Sequence, residues 1–109
     1  MTPIGPTPTP QQITVALDAL RSDADSWVEH AGALHRGAVA VAGLQVDPAA
    51  FSFAGSAIAV AYETTRQRVL ALLRQGAANF EAIGGALHAS AAAYAADETA
   101  GVHRLRGIH

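Results

Sequence analysis

The chain has 109 residues, which is enough for one domain, and its net charge of −2 provides no basic field to attract nucleic acid or anionic lipid. The absence of Cys excludes disulfides, thiolate catalysis and Cys-ligated metals. Half of the residues are apolar, but Ala, which buries little area, supplies much of that half. We therefore expect a partner to complete the core. Charged or His residues interrupt every apolar run of about eighteen residues, so we expect no membrane span.

The N-terminal segment, residues 1–9, is rich in Pro and Thr and is predicted to be a flexible tail. The first helix is predicted over about 10–44. Thr9 fits its N-cap, Pro10 fits the first helical position, and Gln12 stands where a capping box requires Gln or Glu.

Apolar residues recur along this first helix at alternating steps of four and three. They are Ile13, Leu17, Leu20, Ala24, Trp27, Ala31, Leu34, Ala38 and Val41. This spacing is a heptad seam, which is typical of helices that pack at shallow angles.

The break between the helices is predicted at residues 45–56, QVDPAAFSFAGS. Asp47 can cap a short helical turn that begins at Pro48. Phe53 and Gly55 form an aromatic-x-Gly corner motif, in which Gly55 can adopt a backbone conformation that other residues resist.

The second helix is predicted over about 57–99, with Gly101 ending it and residues 101–109 forming a frayed basic tail. Its apolar stripe contains Ile58, Tyr62, Thr65, Val69, Leu72, Gly76, Phe80, Ile83, Leu87, Ser90 and Tyr94. One step beside Gly76 is four residues where three was due, so the seam drifts there.

The two patterns together predict an all-α antiparallel helix-turn-helix hairpin that dimerises into a four-helix bundle. We expect the seam to be exposed on a lone hairpin and to form the dimer or packing interface. The residues assigned to it are Leu17, Leu20, Trp27, Leu34, Val41, Ile58, Tyr62, Val69, Leu72, Phe80, Ile83 and Leu87.

Residues with metal-binding or catalytic potential do not form a recognisable pattern. His30 and His35 are five residues apart and do not share a helix face as an i, i+4 pair would. Asp23, Asp25 and Glu29 cluster on a predicted exposed face without a nucleophile. We therefore expect no enzyme, no cofactor and no metal site.

Tyr94 and Glu98 are four residues apart on one face of an Ala-rich helix end. A docking partner could pack on the Tyr ring and pair with the carboxylate. Alternatively, Tyr94 packs on a partner helix and Glu98 is simply solvated, which the spacing alone favours.

With these features, the chain resembles the helical-hairpin substrates of actinobacterial type VII (ESX) secretion, and within them the EspC-like family. Phe53-Ala54-Gly55 is similar to the Trp-x-Gly turn of such proteins, with Phe in place of Trp. Tyr94 and Glu98 match the Tyr-x-x-x-Asp/Glu export motif, and Asp97 adds a second acidic residue. The resemblance covers about residues 11–100.

The resemblance implies a non-enzymatic protein that is exported as a folded helical dimer without a classical signal peptide. Its partners would be a second copy or another helical hairpin, together with the secretion ATPase that reads Tyr94, Asp97 and Glu98. The exported protein would be secreted or bound to the cell envelope, and a role as carrier for a co-secreted partner is open. The alternative is a cytoplasmic helical adaptor or chaperone for a larger secreted toxin-like protein.

Overall fold

The computed structural model describes the backbone of residues 7–51 and 55–107, and the side chains of residues 7–51 and 55–101. It contains helix α1 (Pro10–Ala42), a short 3₁₀ helix (Pro48–Phe51) and helix α2 (Ser56–Gly107), and no strand within the described backbone. The two long helices pack along each other in a rod of 84 × 28 × 17 Å. The predicted all-α antiparallel hairpin is confirmed.

The start of α1 is fixed by the predicted capping box. The Gln12 amide donates to Thr9 Oγ1 at 3.1 Å, and the Thr9 amide donates to Gln12 Oε1 at 2.8 Å. Pro10 occupies the first turn, where its missing amide hydrogen costs nothing. These contacts satisfy amide groups that a helix start would otherwise leave unpaired.

The end of α1 lies at Ala42, two residues before the predicted position near Leu44. The Leu44 amide donates to the Val41 carbonyl, three residues back, at 3.1 Å. Such a bond tightens the last turn, and the chain leaves the helix after it.

The chain changes direction at two positions in the corner. Asp47 Oδ1 accepts the Ala49 amide at 3.0 Å, which confirms Asp47 as the cap of the turn that begins at Pro48. Gly55 has φ of +84°, a left-handed conformation that only Gly adopts at low cost, and it directs the chain into α2. Phe53, the aromatic half of the predicted corner motif, lies outside the described residues, as do residues 1–6 of the predicted tail.

Helix α2 begins at Ser56 and continues through Gly101 to Gly107, so the predicted end near residue 99 is wrong. A lone Gly costs a helix only about 1 kcal/mol relative to Ala. The following segment, VHRLR, contains no Pro and includes Leu and Arg, which favour helix. Residues 101–107 therefore extend α2 instead of forming a separate tail.

All nine residues of the predicted seam of α1 are buried or half-buried. Ala24, Ala31 and Ala38 are its most buried members. Trp27 meets Phe80 of α2 edge to face, with ring centroids 5.0 Å apart. The expectation that a lone hairpin exposes this seam is wrong, because α2 already covers it.

The predicted seam of α2 is displaced from the packed face by one residue at several positions. Four of its large members, Ile58, Val69, Leu72 and Ile83, are exposed. Tyr62, Phe80 and Leu87 are half-buried, as expected of a packed face. The remaining positions toward α1 are held by Arg66, Leu70, Leu73, Ala77, Gly84 and Ala91.

The reason for the displacement is visible at Gly84, where the helices approach most closely. A Cβ at this position would lie 2.8 Å from Val28 Cγ2 and 3.0 Å from the Ala24 carbonyl oxygen. The absence of a side chain at Gly84 lets α2 approach α1 beside Trp27 and Val28, and this close approach turns the row that contains Gly84 toward α1.

Candidate interaction surface

The open end of the hairpin brings the predicted signal residues beside α1. Tyr94 and Glu98 line a groove of about 450 Å³ together with residues from the first turns of α1. The α1 and tail residues are Pro8, Gln12, Ile13, Ala16, Leu17 and Leu20. An exposed ring and a carboxylate therefore border an apolar depression, which suits a protein contact.

Tyr94 is 64% exposed, and it is the only exposed aromatic residue among the described side chains. About two thirds of its surface is therefore open to solvent, although it lines the groove beside α1. Asp97 and Glu98 are exposed as well, but only Glu98 lines the groove with Tyr94. The two predicted signal residues that share a face thus share a groove, and Asp97 lies beside them.

The corner is at the opposite end of the hairpin. Gly55 lines a hollow there with Pro48 and Phe51, and the Phe51 ring packs against Tyr62 with centroids 5.5 Å apart. Thirty-eight residues of continuous helix separate Gly55 from Tyr94, which is on the order of 60 Å at 1.5 Å per residue. Gly55 and the tyrosine motif therefore do not meet within one chain.

The corner is held in place by a polar cluster that the sequence did not reveal. Arg66 is only 7% exposed, although it is charged. It donates to both carboxylate oxygens of Glu63, at 2.6 and 3.0 Å, and to the Ala42 carbonyl at 3.3 Å. The Tyr62 hydroxyl donates to the Leu44 carbonyl at 2.8 Å. The Ala42 carbonyl at the end of α1 and the Leu44 carbonyl just beyond it thus gain partners from α2.

The same cluster changes the protonation of Glu63. Hydrogen bonds from Arg66, and then from Gln67, lower the Glu63 pKa to about 2 because they favour the charged carboxylate. The Glu63 contact in turn raises the pKa of Arg66. The pair remains ionic at any physiological pH.

Two histidines link the helices on the surface. His35 Nε2 lies 2.7 Å from Glu81 Oε1, and His88 Nε2 lies 2.9 Å from Asp25 Oδ1. No cluster of three or more potential metal ligands occurs in the part of the chain with described side chains.

The predicted apolar row of α2 lies at the edge of the packed face and is partly exposed. We call the predicted apolar row of this helix the α2 stripe: Ile58, Tyr62, Thr65, Val69, Leu72, Gly76, Phe80, Ile83, Leu87, Ser90 and Tyr94. None of these residues is charged, and seven of them are exposed. At the corner end, a second groove is lined by Val41, Leu44, Tyr62, Thr65, Arg66 and Val69.

The described helices are not apolar enough over a sufficient length to cross a membrane. No protein-family model matches the chain, and neither a curated protein nor a solved structure shows significant similarity to it.

Proposed function

We propose that this chain is a non-enzymatic substrate of a type VII (ESX) secretion system. It leaves the cell as a folded helical dimer, and Tyr94 with Glu98, assisted by Asp97, is the feature that the secretion ATPase reads. After export it is free or bound to the cell envelope, and it can carry a co-secreted partner.

The observation that carries this proposal is the exposure of Tyr94. The other aromatic residues with described side chains, Trp27, Phe51, Tyr62 and Phe80, are half-buried in contacts within the hairpin. A large ring left on the surface beside a carboxylate and an apolar groove is typical of a recognition site. That the secretion ATPase is the protein that binds this site is taken from the family resemblance.

The dimer part of the proposal is supported by the α2 stripe. A row of apolar side chains longer than a few turns is uncommon on a soluble monomer and marks an interaction surface. A second hairpin laid against it would complete a four-helix bundle.

The test is export of Tyr94→Ala from cells with an active type VII system. We expect loss of export with unchanged helix content and assembly, because substitution of an exposed side chain changes stability by less than about 0.5 kcal/mol. Val60→Ala is the matched control, since Val60 is equally exposed at 64% on the same helix. Normal export of Tyr94→Ala would show that the tyrosine motif is coincidental.

The alternative function is a cytoplasmic adaptor that holds a larger toxin-like protein on the α2 stripe. Large apolar residues on the surface, such as Leu72, which is 68% exposed, favour a stably bound partner protein on the α2 stripe. Fractionation separates the two functions. Retention of the chain in the cytosol, while the same apparatus exports other substrates, would favour the adaptor.

A further inference from the structure

The groove at the open end of the hairpin is built by both helices. Helix α1 contributes Ile13 and Leu17, which are half-buried, and Ala16, which is exposed, whereas α2 contributes Tyr94 and Glu98. Its volume of about 450 Å³ lies within the range of about 300–1,000 Å³ that is typical of binding clefts. The tyrosine motif is therefore one side of a depression whose other side is α1.

The α1 side of this groove is held in a fixed shape. Gln12, which lines it, is locked in the capping box with Thr9 by two hydrogen bonds of 2.8 and 3.1 Å. Leu17 and Leu20 are half-buried between the helices. A partner that enters the groove therefore does not need to order these side chains, which lowers the cost of binding.

Glu98 is the one charged residue that lines the groove. The positions three and four residues away from it on α2 are Tyr94, Ala95, Gly101 and Val102, so its own helix offers no cation at the spacing at which helical side chains meet. The four ion pairs among the described side chains do not include Glu98. Its carboxylate is thus free to pair with a cation of a partner.

The surroundings of the groove are acidic. Within residues 7–24 and 91–101, the carboxylates are Asp18, Asp23, Asp97 and Glu98. Arg21 is the one Arg or Lys in these ranges, and it lies 3.6 Å from Asp18. Arg104 and Arg106 come six and eight residues after Glu98, which places them about 9 and 12 Å farther along the helix. The field at the groove therefore favours a basic segment.

We propose that this groove receives a segment of the secretion ATPase in which a large apolar side chain stands beside a Lys or Arg. The apolar side chain packs against Ala16, Leu17 and the ring of Tyr94, and the cation pairs with Glu98. The inference rests on the proposed function, and it adds the chemistry of the bound segment and the contribution of α1. The end of α2 alone would present the ring and the carboxylate without the apolar surface between them.

Ala16 is the position that tests this proposal, because it lines the groove but belongs neither to the proposed signal nor to the packed seam. Ala16→Arg fills the groove and sets a cation against the basic segment. Ala16→Glu also fills it, but with a charge that attracts such a segment. We expect the full-length Ala16→Arg chain to bind the detergent-solubilised ATPase at least about tenfold more weakly than the parent, and Ala16→Glu to bind at least about tenfold more tightly than Ala16→Arg. Export should follow the same order.

Ser22→Arg and Ser22→Glu are the matched controls. Ser22 is exposed on the same helix, and six residues after Ala16 it points away from the groove. Both variants should bind the ATPase within about twofold of the parent, because they add the same charges outside the contact. Circular dichroism of every variant establishes that the hairpin is folded, and light scattering gives its oligomeric state.

The outcomes separate the groove from the proposed function. If both Ala16 variants bind and are exported like the Ser22 controls, the groove is overturned, and loss of export by Tyr94→Ala in the same cells leaves the proposed function standing. Equal weakening by Ala16→Arg and Ala16→Glu overturns the basic character of the segment. If Ala16→Arg instead dissociates two copies of the chain and leaves ATPase binding unchanged, a second copy occupies the groove and the inference fails. Export that does not depend on the ATPase overturns both the proposed function and the inference.

Discussion

Two adjacent glycines of α2 provide a sensitive probe of how the helices pack. Gly84 faces α1, and a Cβ there would stand 3.0 Å from the Ala24 carbonyl oxygen, a backbone atom that cannot move without shifting α1. Gly85 has no heavy atom within 4 Å of the same position. Substitution of either residue by Ala adds the same methyl group to the same helix, so the two variants differ only in what the methyl group meets.

The expected free energies of unfolding follow from this difference. Replacing Gly by Ala within a helix stabilises it by about 1 kcal/mol, which applies to both variants. Insertion of a methyl group into a well-packed contact costs about 1–3 kcal/mol, which applies only to Gly84→Ala. We therefore expect Gly85→Ala to be more stable than the parent, and Gly84→Ala to be less stable than Gly85→Ala by about 1–3 kcal/mol.

Thermal and urea unfolding followed by circular dichroism measures this difference. For a chain of this size, it corresponds to a gap in Tm of about 5–20 °C between the variants. The melts should be repeated at several protein concentrations, because dimerisation makes Tm concentration-dependent. Equal stability of Gly84→Ala and Gly85→Ala would refute the packing of α1 against Gly84.

Two further substitutions test the packed face and the corner. Trp27→Ala should destabilise the hairpin by about 3 kcal/mol in urea unfolding, because it removes the edge-to-face contact with Phe80. Val15 is exposed, so Val15→Ala should change the free energy of unfolding by less than about 0.5 kcal/mol. Equal effects of the two substitutions would contradict the assignment of Trp27 to the packed face. Glu63→Gln tests how the stability of the hairpin depends on pH. The Glu63 pKa is lowered from 4.5 to about 2 in the folded chain. The ionic contact of Glu63 with Arg66 therefore stabilises the fold fully above pH 4.5, and this stabilisation is lost as the pH falls toward 2. The stability advantage of the parent over Glu63→Gln should shrink across that interval in acid titrations, and a constant advantage would show that the contact does not form.

The sequence predicts the packed face of α1 better than that of α2, and the reason is physical. In α1 the Leu residues and Trp27 all fall on one heptad seam, whereas Val15, Val28 and Val39 lie off it singly and are exposed, so the seam is the face to be buried. In α2 two rows with similar spacing lie side by side: one contains Val69 and Leu72, and the other contains Leu70 and Leu73. Residue size does not decide which of the two rows is buried. The buried row is the one that fits against Trp27 and Leu34 of α1.

The polar contacts of the corner could not be anticipated from spacing. Arg66 is buried because its guanidinium reaches the Ala42 carbonyl at the end of the other helix, and the sequence does not show that these residues meet. The partnership of His88 with Asp25 depends on the same alignment of the two helices. The exposure of Tyr94 likewise follows from the displaced packing of α2, which directs the small Ala91 and Ala95 toward α1 instead.

The central claim of this account is that the chain is a substrate of type VII secretion. The most direct measurement is its amount in the culture filtrate of a host with a type VII system, with the secretion ATPase either active or inactivated, and with a cytosolic protein as lysis control. We predict that the chain accumulates in the filtrate only when the ATPase is active. Equal amounts in both filtrates, or retention in the cells while other substrates of the active system are exported, would contradict the claim.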